Sequence, residues 1–150
     1  KRQKNYKNAI FVFKQALEKD PHNTFVVANL ASCYRSTKNF KQATAVLEKG
    51  LQSSPKNLNL MRQITQCYNK EKQPEKAEQA IRIALKQDPK HLPSLIELIQ
   101  SLILQGKTID AQAFINKFEK LDLNKKYSKQ IQAFRKQIQK NYASRIIKTE

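Results

Sequence analysis

TFVVANLASCYRSTKNFKQATAVLEKGLQSSPKN, Thr24 to Asn57, carries the pattern that the rest of the chain repeats. Leu30, Ala31 and Tyr34 form one apolar set at spacing i, i+1, i+4. Ala43, Leu47, Gly50 and Leu51 form a second at i, i+4, i+7, i+8, and Pro55 ends it. Each set lies on one face of a 3.6-residue period, so the stretch predicts two antiparallel helices. Ala31, Ala43 and Gly50 are small enough to let the two backbones approach. Thirty-four residues further on stand Ile64, Thr65 and Tyr68, then Ala77, Ile81, Ala84, Leu85 and Pro89. Thirty-four residues back stand Ala9, Phe13, Ala16, Leu17 and Pro21. The prolines at 21, 55 and 89 keep one register.

A helix pair recurring every 34 residues, with small residues at its crossings and a proline at its exit, resembles the tetratricopeptide repeat. The resemblance covers most of the chain. It implies an all-α fold, a right-handed α-solenoid of antiparallel helix pairs. It also implies a non-catalytic scaffold or adaptor that holds an extended peptide or partner protein on its concave face, with no cofactor. Such a domain works within a larger assembly.

Composition sets the bounds around this reading. One hundred and fifty residues suffice for one domain with a core, and periodic apolar residues throughout exclude disordered and fibrous classes. No run of eighteen apolar residues exists, so no segment is read as spanning a membrane. No signal peptide is visible, although the chain begins with Lys and a targeting segment upstream would not be seen. The formal charge is +17, and 23 of the 29 basic residues are Lys. Lysine spread this evenly, among many Gln, Asn and Ile, predicts a solvated surface. Nucleic-acid readers rely more on Arg forks and stacking aromatics. Binding of RNA or other nucleic acid through the lysines is the alternative from a second class, and a regulatory arm of a larger enzyme is a third.

In chain order, residues 1–23 read as a partial repeat: residues 1–4 end a first helix, and a second runs from about Tyr6 to Lys19. Its face is Ala9, Phe13, Ala16 and Leu17. Ile10, Phe11 and Val12 would leave much apolar surface at a natural end, which predicts a piece of a longer solenoid. Repeats follow at 24–57, 58–91 and 92–123. They turn at Lys38-Asn39, at Asn69 to Gln73 before Pro74, and at Gly106, with Thr108 predicted to cap the next helix. Repeat four departs from the pattern, with Leu102 in place of the Tyr and Leu123 in place of the exit proline. Residues 124–150 then form a capping helix. Tyr127, Ile131, Phe134, Ile138, Tyr142 and Ile146 mark its packing face, and Lys125, Lys129, Lys136 and Lys140 lie opposite. Its far end, near Ile146 and Ile147, is long enough to reach a partner.

Catalytic constellations are not found. Cys33 and Cys67 share one position of successive first helices, too far apart for a disulfide at helix-packing distances and without further ligands for zinc. They read as small core thiols, which points to a reducing, intracellular, cytoplasmic compartment. His22 and His91 follow prolines in turns and read as solvated. No metal site is expected.

The binding positions come from register alone. Repeat two offers Phe25, Ala28, Asn29, Ser32 and Arg35. Repeat three offers Asn59, Arg62, Gln63, Gln66 and Asn69, and repeat four offers Pro93, Ile96, Glu97, Gln100 and Ile103. The candidate peptide-binding set is Asn29, Ser32, Arg35, Asn59, Arg62, Gln63, Gln66, Glu97 and Gln100. Members of the family that bind chaperone tails share a Lys/Asn/Asn/Lys/Arg clamp, which is not traceable here. Ala28 and Ser32 replace one Lys/Asn pair, and no Lys is expected in the groove. Asn29, Gln63 and Glu97 hold one equivalent position in three repeats and predict a ladder. Rungs ~8–10 Å apart match about three residues of extended chain at ~3.3 Å each. The ligand expected on such a ladder is an extended segment of mixed charge.

Overall fold

The computed structural model describes residues 2–148, with side chains from residue 5 onwards. Among them are eight helices: α1 Arg2–Lys19, α2 Thr24–Ser36, α3 Phe40–Ser53, α4 Leu58–Lys70, α5 Pro74–Gln87, α6 Leu92–Leu104, α7 Thr108–Leu121 and α8 Ser128–Ile147. No strand occurs among the described residues. Local chemistry sets several of the boundaries. Asn23 and Asn57 cap α2 and α4, their side-chain oxygens accepting from Val26 N and Leu60 N at 3.1 Å. Pro74 and Pro93 sit in the first turns of α5 and α6, where a missing N–H costs nothing. The three pair-internal turns place Lys38, Lys72 and Gly106 at positive φ. Only the third uses the residue best suited to that conformation.

Helices adjacent in sequence pack against each other, giving the pairs α2/α3, α4/α5 and α6/α7. Contacts also join α2 to α4, α4 to α6 and α6 to α8. The even-numbered helices therefore form an inner layer, and α1, α3, α5 and α7 an outer one. The core runs between the layers in two clusters. Val27, Leu30, Ala31, Ala43, Leu47 and Ile64 centre the first, and Ile81, Leu98, Ile99, Leu102, Ile115 and Phe118 the second. The small crossing residues behave as the register requires. Ala43 and Ala77 are fully buried, and a Cβ built on Gly50 would lie 2.7 Å from Val27 Cγ1.

Those crossings define a first test. Ala43→Leu and Ala77→Leu are each expected to destabilise by about 1–3 kcal/mol through overpacking. Ala143→Leu, on the exposed part of α8, is expected to change little. Equal small losses at all three sites in thermal melts would contradict the register.

The termini and turns differ from the sequence reading in four places. Arg2–Lys4 belong to α1 itself, because no Gly or Pro interrupts KRQKNYK and the helix runs on through Asn5; Lys1 lies outside the described residues. Thr108 is the buried first residue of α7 and caps nothing, while Lys107 holds the N-cap position without a side-chain bond. Helix α8 starts at Ser128, after a turn that the buried Asp122 carboxylate organises by accepting from Lys126 N and Tyr127 N at 3.2 and 3.0 Å. Of the expected α8 face, Ile131, Phe134 and Ile138 are buried, but Tyr142 is 45% and Ile146 61% exposed. The helix outruns the repeat it covers.

Both thiols are free, and both are buried. Burial pushes the Cys67 thiol up to about 11, against the opposing charge of Arg35 and a hydrogen bond with Thr44. His22 is exposed, as the sequence reading expected, whereas His91 is partly shielded. His22 Nδ1 and His91 Nδ1 lie 2.8 Å from Ser53 Oγ and Ser94 Oγ, and His91 is half-buried. Among the described residues no helix is long and apolar enough to cross a membrane. Nor does any group of three His, Cys, Asp or Glu side chains converge there at metal-binding distance.

Candidate peptide-binding groove

The inner layer turns one face of each of its helices away from the core. On α2 the core takes Val27, Leu30, Ala31 and Tyr34, leaving Phe25, Asn29, Ser32 and Arg35 along the other side. On α4 Leu60, Met61, Ile64 and Cys67 are buried, leaving Asn59, Arg62, Gln63 and Gln66. Period 3.6 alone produces this division. Ser32, Arg35 and Gln66 converge with Ser36, Phe40 and Lys70 around a pocket of about 380 Å³ between α2 and α4.

A second grouping joins α4 to α6. Gln66 Nε2 donates to Glu97 Oε1, and Arg62 Nη2 lies 4.0 Å from the same oxygen. Glu97 is only 8% exposed. Burial pushes its carboxyl up, while the Gln66 hydrogen bond and the charges of Arg62 and Arg35 act the other way. Further along, Asn69 Nδ2 donates to Ser101 Oγ at 3.1 Å. Three buried side-chain atoms on this side of α4 have no hydrogen-bond partner: Arg62 Nε, Gln63 Oε1 and Asn69 Oδ1. A buried polar atom without a partner is costly, so this wall of α4 retains unspent hydrogen-bonding capacity.

The predicted residues thus divide. Ser32, Arg35, Arg62, Gln66 and Glu97 are brought together through the pocket and the buried carboxylate. Asn29 is turned back on its own helix, donating to Phe25 O at 2.8 Å, and Gln63 Nε2 donates to Asn59 Oδ1 at 3.5 Å. Asn29, Gln63 and Glu97 therefore do not present three equal rungs. Glu97 is occupied by its neighbours, which removes the acidic half of the mixed-charge groove. Gln100 is half-buried on α6, while Ile96 and Ile103, read as groove residues, are buried in the cluster that includes Ile131, Phe134 and Ile138 of α8.

Sequence reasoning missed Lys70, Ser36 and Phe40. Lys70 is one helical turn beyond Gln66, a spacing that places it on the same face. Phe40 opens α3 and reaches the pocket from the neighbouring helix, which register within the inner helices does not reveal.

The geometry of paired helices in two layers agrees with known proteins. A family model described as tetratricopeptide repeat matches residues 2–53 and 38–90. No curated protein matches the sequence. The structure is similar to that of MamA from Desulfovibrio magneticus RS-1, with TM-score 0.73, 20% identity, and 81% of this chain and 69% of that chain covered. It is also similar to the first TPR domain of human RPAP3, with TM-score 0.71, 16% identity, and 83% and 98% covered. A tetratricopeptide repeat protein from Parabacteroides merdae aligns over 95% of this chain and 57% of its own, with TM-score 0.78 and 19% identity. With its helix pairs, its 34-residue register and that match over more than half its length, the chain belongs to the tetratricopeptide repeat family, a family of helical protein-interaction scaffolds.

Proposed function

We propose that the chain is a non-catalytic adaptor that holds an extended, acidic segment of a partner protein along its inner face. The pocket between α2 and α4 carries this reading. Arg35 and Lys70 supply positive charge there, Ser32 and Gln66 supply hydrogen-bonding groups, and Phe40 supplies an apolar wall. Gln66 commits its Nε2 to Glu97 and so keeps Oε1 to accept from a peptide N–H. Glu97 acts from within, fixing the rotamers of Gln66 and Arg62 before a ligand arrives, which lowers the ordering cost of binding.

The test is affinity capture with wild type and with the double variant Arg35→Gln, Lys70→Gln. A charge-assisted hydrogen bond is worth about 1.5–3 kcal/mol, so partner recovery should fall by about tenfold or more. The melting temperature should stay nearly unchanged. Capture that survives this change but disappears with nuclease, or when Lys129, Lys136 and Lys140 are neutralised, would place the partner on the exposed basic face of α8 and overturn the reading.

A further inference from the structure

The backbones of α1, α3, α5 and α7 do not approach one another; each outer helix reaches the next repeat through the inner helix that follows it. Neighbouring outer helices therefore splay and leave a cleft above the inner helix beneath them. The cleft between α1 and α3 encloses about 430 Å³, with Val27 and Leu30 on its floor, Leu17 and Val46 as walls, and Lys14 and Lys49 at its mouth. The cleft between α5 and α7 encloses about 200 Å³, with Leu95 and Leu98 on its floor, Leu85 and Phe114 as walls, and Arg82 and Lys117 at its mouth. Each residue of the second set stands 68 positions, two repeats, after its counterpart in the first. The first cleft is roomier because Val46 and Gly50 stand where the other has Phe114 and Phe118.

The equivalent register between α3 and α5 breaks the pattern. Glu48 and Ile83 occupy the positions of the mouth cations, and Ala80 occupies the wall position of Val46 and Phe114. Cations thus stand at the two clefts whose varying wall is Val46 or Phe114, and not where that wall is Ala80. In the α5/α7 cleft the cations are also placed. Arg82 is held by Glu78 at 2.7 Å and lies 5.7 Å from the Phe114 ring centroid, with Lys117 Nζ 6.0 Å from the same centroid. Lys86 stands where the first cleft has Glu18, so the α5/α7 cleft is the more positive.

We propose that these two outer clefts dock an acidic partner segment that inserts one leucine or phenylalanine side chain into each and sets flanking carboxylates on Lys14 and Lys49 and on Arg82 and Lys117. Half-buried apolar walls reward an apolar side chain by completing their burial. Exposed cations at the mouth add a charge preference and faster encounter. The surface lies opposite the inner groove, so the two docking modes are independent.

The probe is a blocked hexapeptide with adjacent leucine and phenylalanine between pairs of aspartates, titrated into nitrogen-15-labelled protein. Amide shifts are expected at Leu17, Val46 and Gly50 and at Leu85, Phe114 and Lys117. The exposed-site variant Lys49→Glu, Lys117→Glu should raise Kd by about five- to tenfold at low salt, less at high salt, with Tm unchanged. A peptide with both apolar residues replaced by alanine should fail to bind. Shifts confined to Ser32, Arg35 and Gln66, an unchanged Kd in the double variant, or equal binding of the alanine peptide would each overturn the proposal. So would self-association in sedimentation that the same substitutions abolish, which would make a second copy of the chain the occupant.

Discussion

Phe118→Ala is expected to cost about 3–5 kcal/mol, the range for deleting a fully buried aromatic side chain. Phe118 has no exposed surface, lies in the cluster shared by α6, α7 and α8, and meets the Tyr127 ring edge-on with centroids 5.6 Å apart. The adjoining Asp122 turn is held by hydrogen bonds from Lys126 N and Tyr127 N, which should limit collapse, so a cavity should remain. In a solenoid each unit contacts only its neighbours. The loss should therefore be local: hydrogen exchange should rise first in α7 and α8, while α2 and α3 keep their protection. A denaturation loss below about 1 kcal/mol, or uniform loss of protection, would show that α8 is not packed as described.

Glu78→Ala is expected to cost about 2–3 kcal/mol, because one carboxylate ties α5 to the turn between α6 and α7 through three hydrogen bonds. Its oxygens accept from Arg82 Nε on its own helix, from Gln105 Nε2 after α6 and from Lys107 Nζ before α7, at 2.7, 2.7 and 2.8 Å. Burial acts to raise the Glu78 carboxyl. The three hydrogen bonds and the Arg82 charge outweigh it and hold the group at about 2, against an ordinary value of 4.5. Arg82 and Lys107 side chains are 45% and 46% exposed and can resolvate, which keeps the cost below that of a fully buried pair. The folded carboxyl binds its proton less readily than the unfolded one. Its contribution is thus present above about pH 4.5 and lost as pH falls toward 2. Stability measured across that window should drop in wild type and drop less in Glu78→Gln. Parallel curves would refute the assignment.

The candidate groove shows where reading from sequence stops. Register assigned Ser32, Arg35, Arg62 and Gln66 to one face because each lies opposite the buried set of its own helix, and the structure places them there. It could not show that Glu97 is buried and spoken for, since that depends on Gln66 and Arg62 reaching across from another helix. Nor could it show that Ile96 and Ile103 are taken into the α8 cluster, or that Lys70 and Phe40 complete the pocket. Burial and pairing between helices are properties of distances that a one-dimensional pattern does not contain.

The sequence by itself determined the helix pairs, their 34-residue register and the small residues at the crossings, because these follow from local periodicity and from residues that no neighbouring element can replace. Leu30, Ala43, Leu47, Ala77 and Ile81 are legible as core wherever the period is known, and all five are buried. Only the tertiary structure decided how the outer helices splay, which polar side chains keep free capacity and where α8 leaves the body of the protein. Each of these depends on packing angles and on contacts between residues far apart in the chain, such as Gln66 with Glu97, 31 positions on, and Gln105 with Glu78, 27 positions back. Repetition copies a unit along the chain, but the curvature of the stack fixes what each copy exposes.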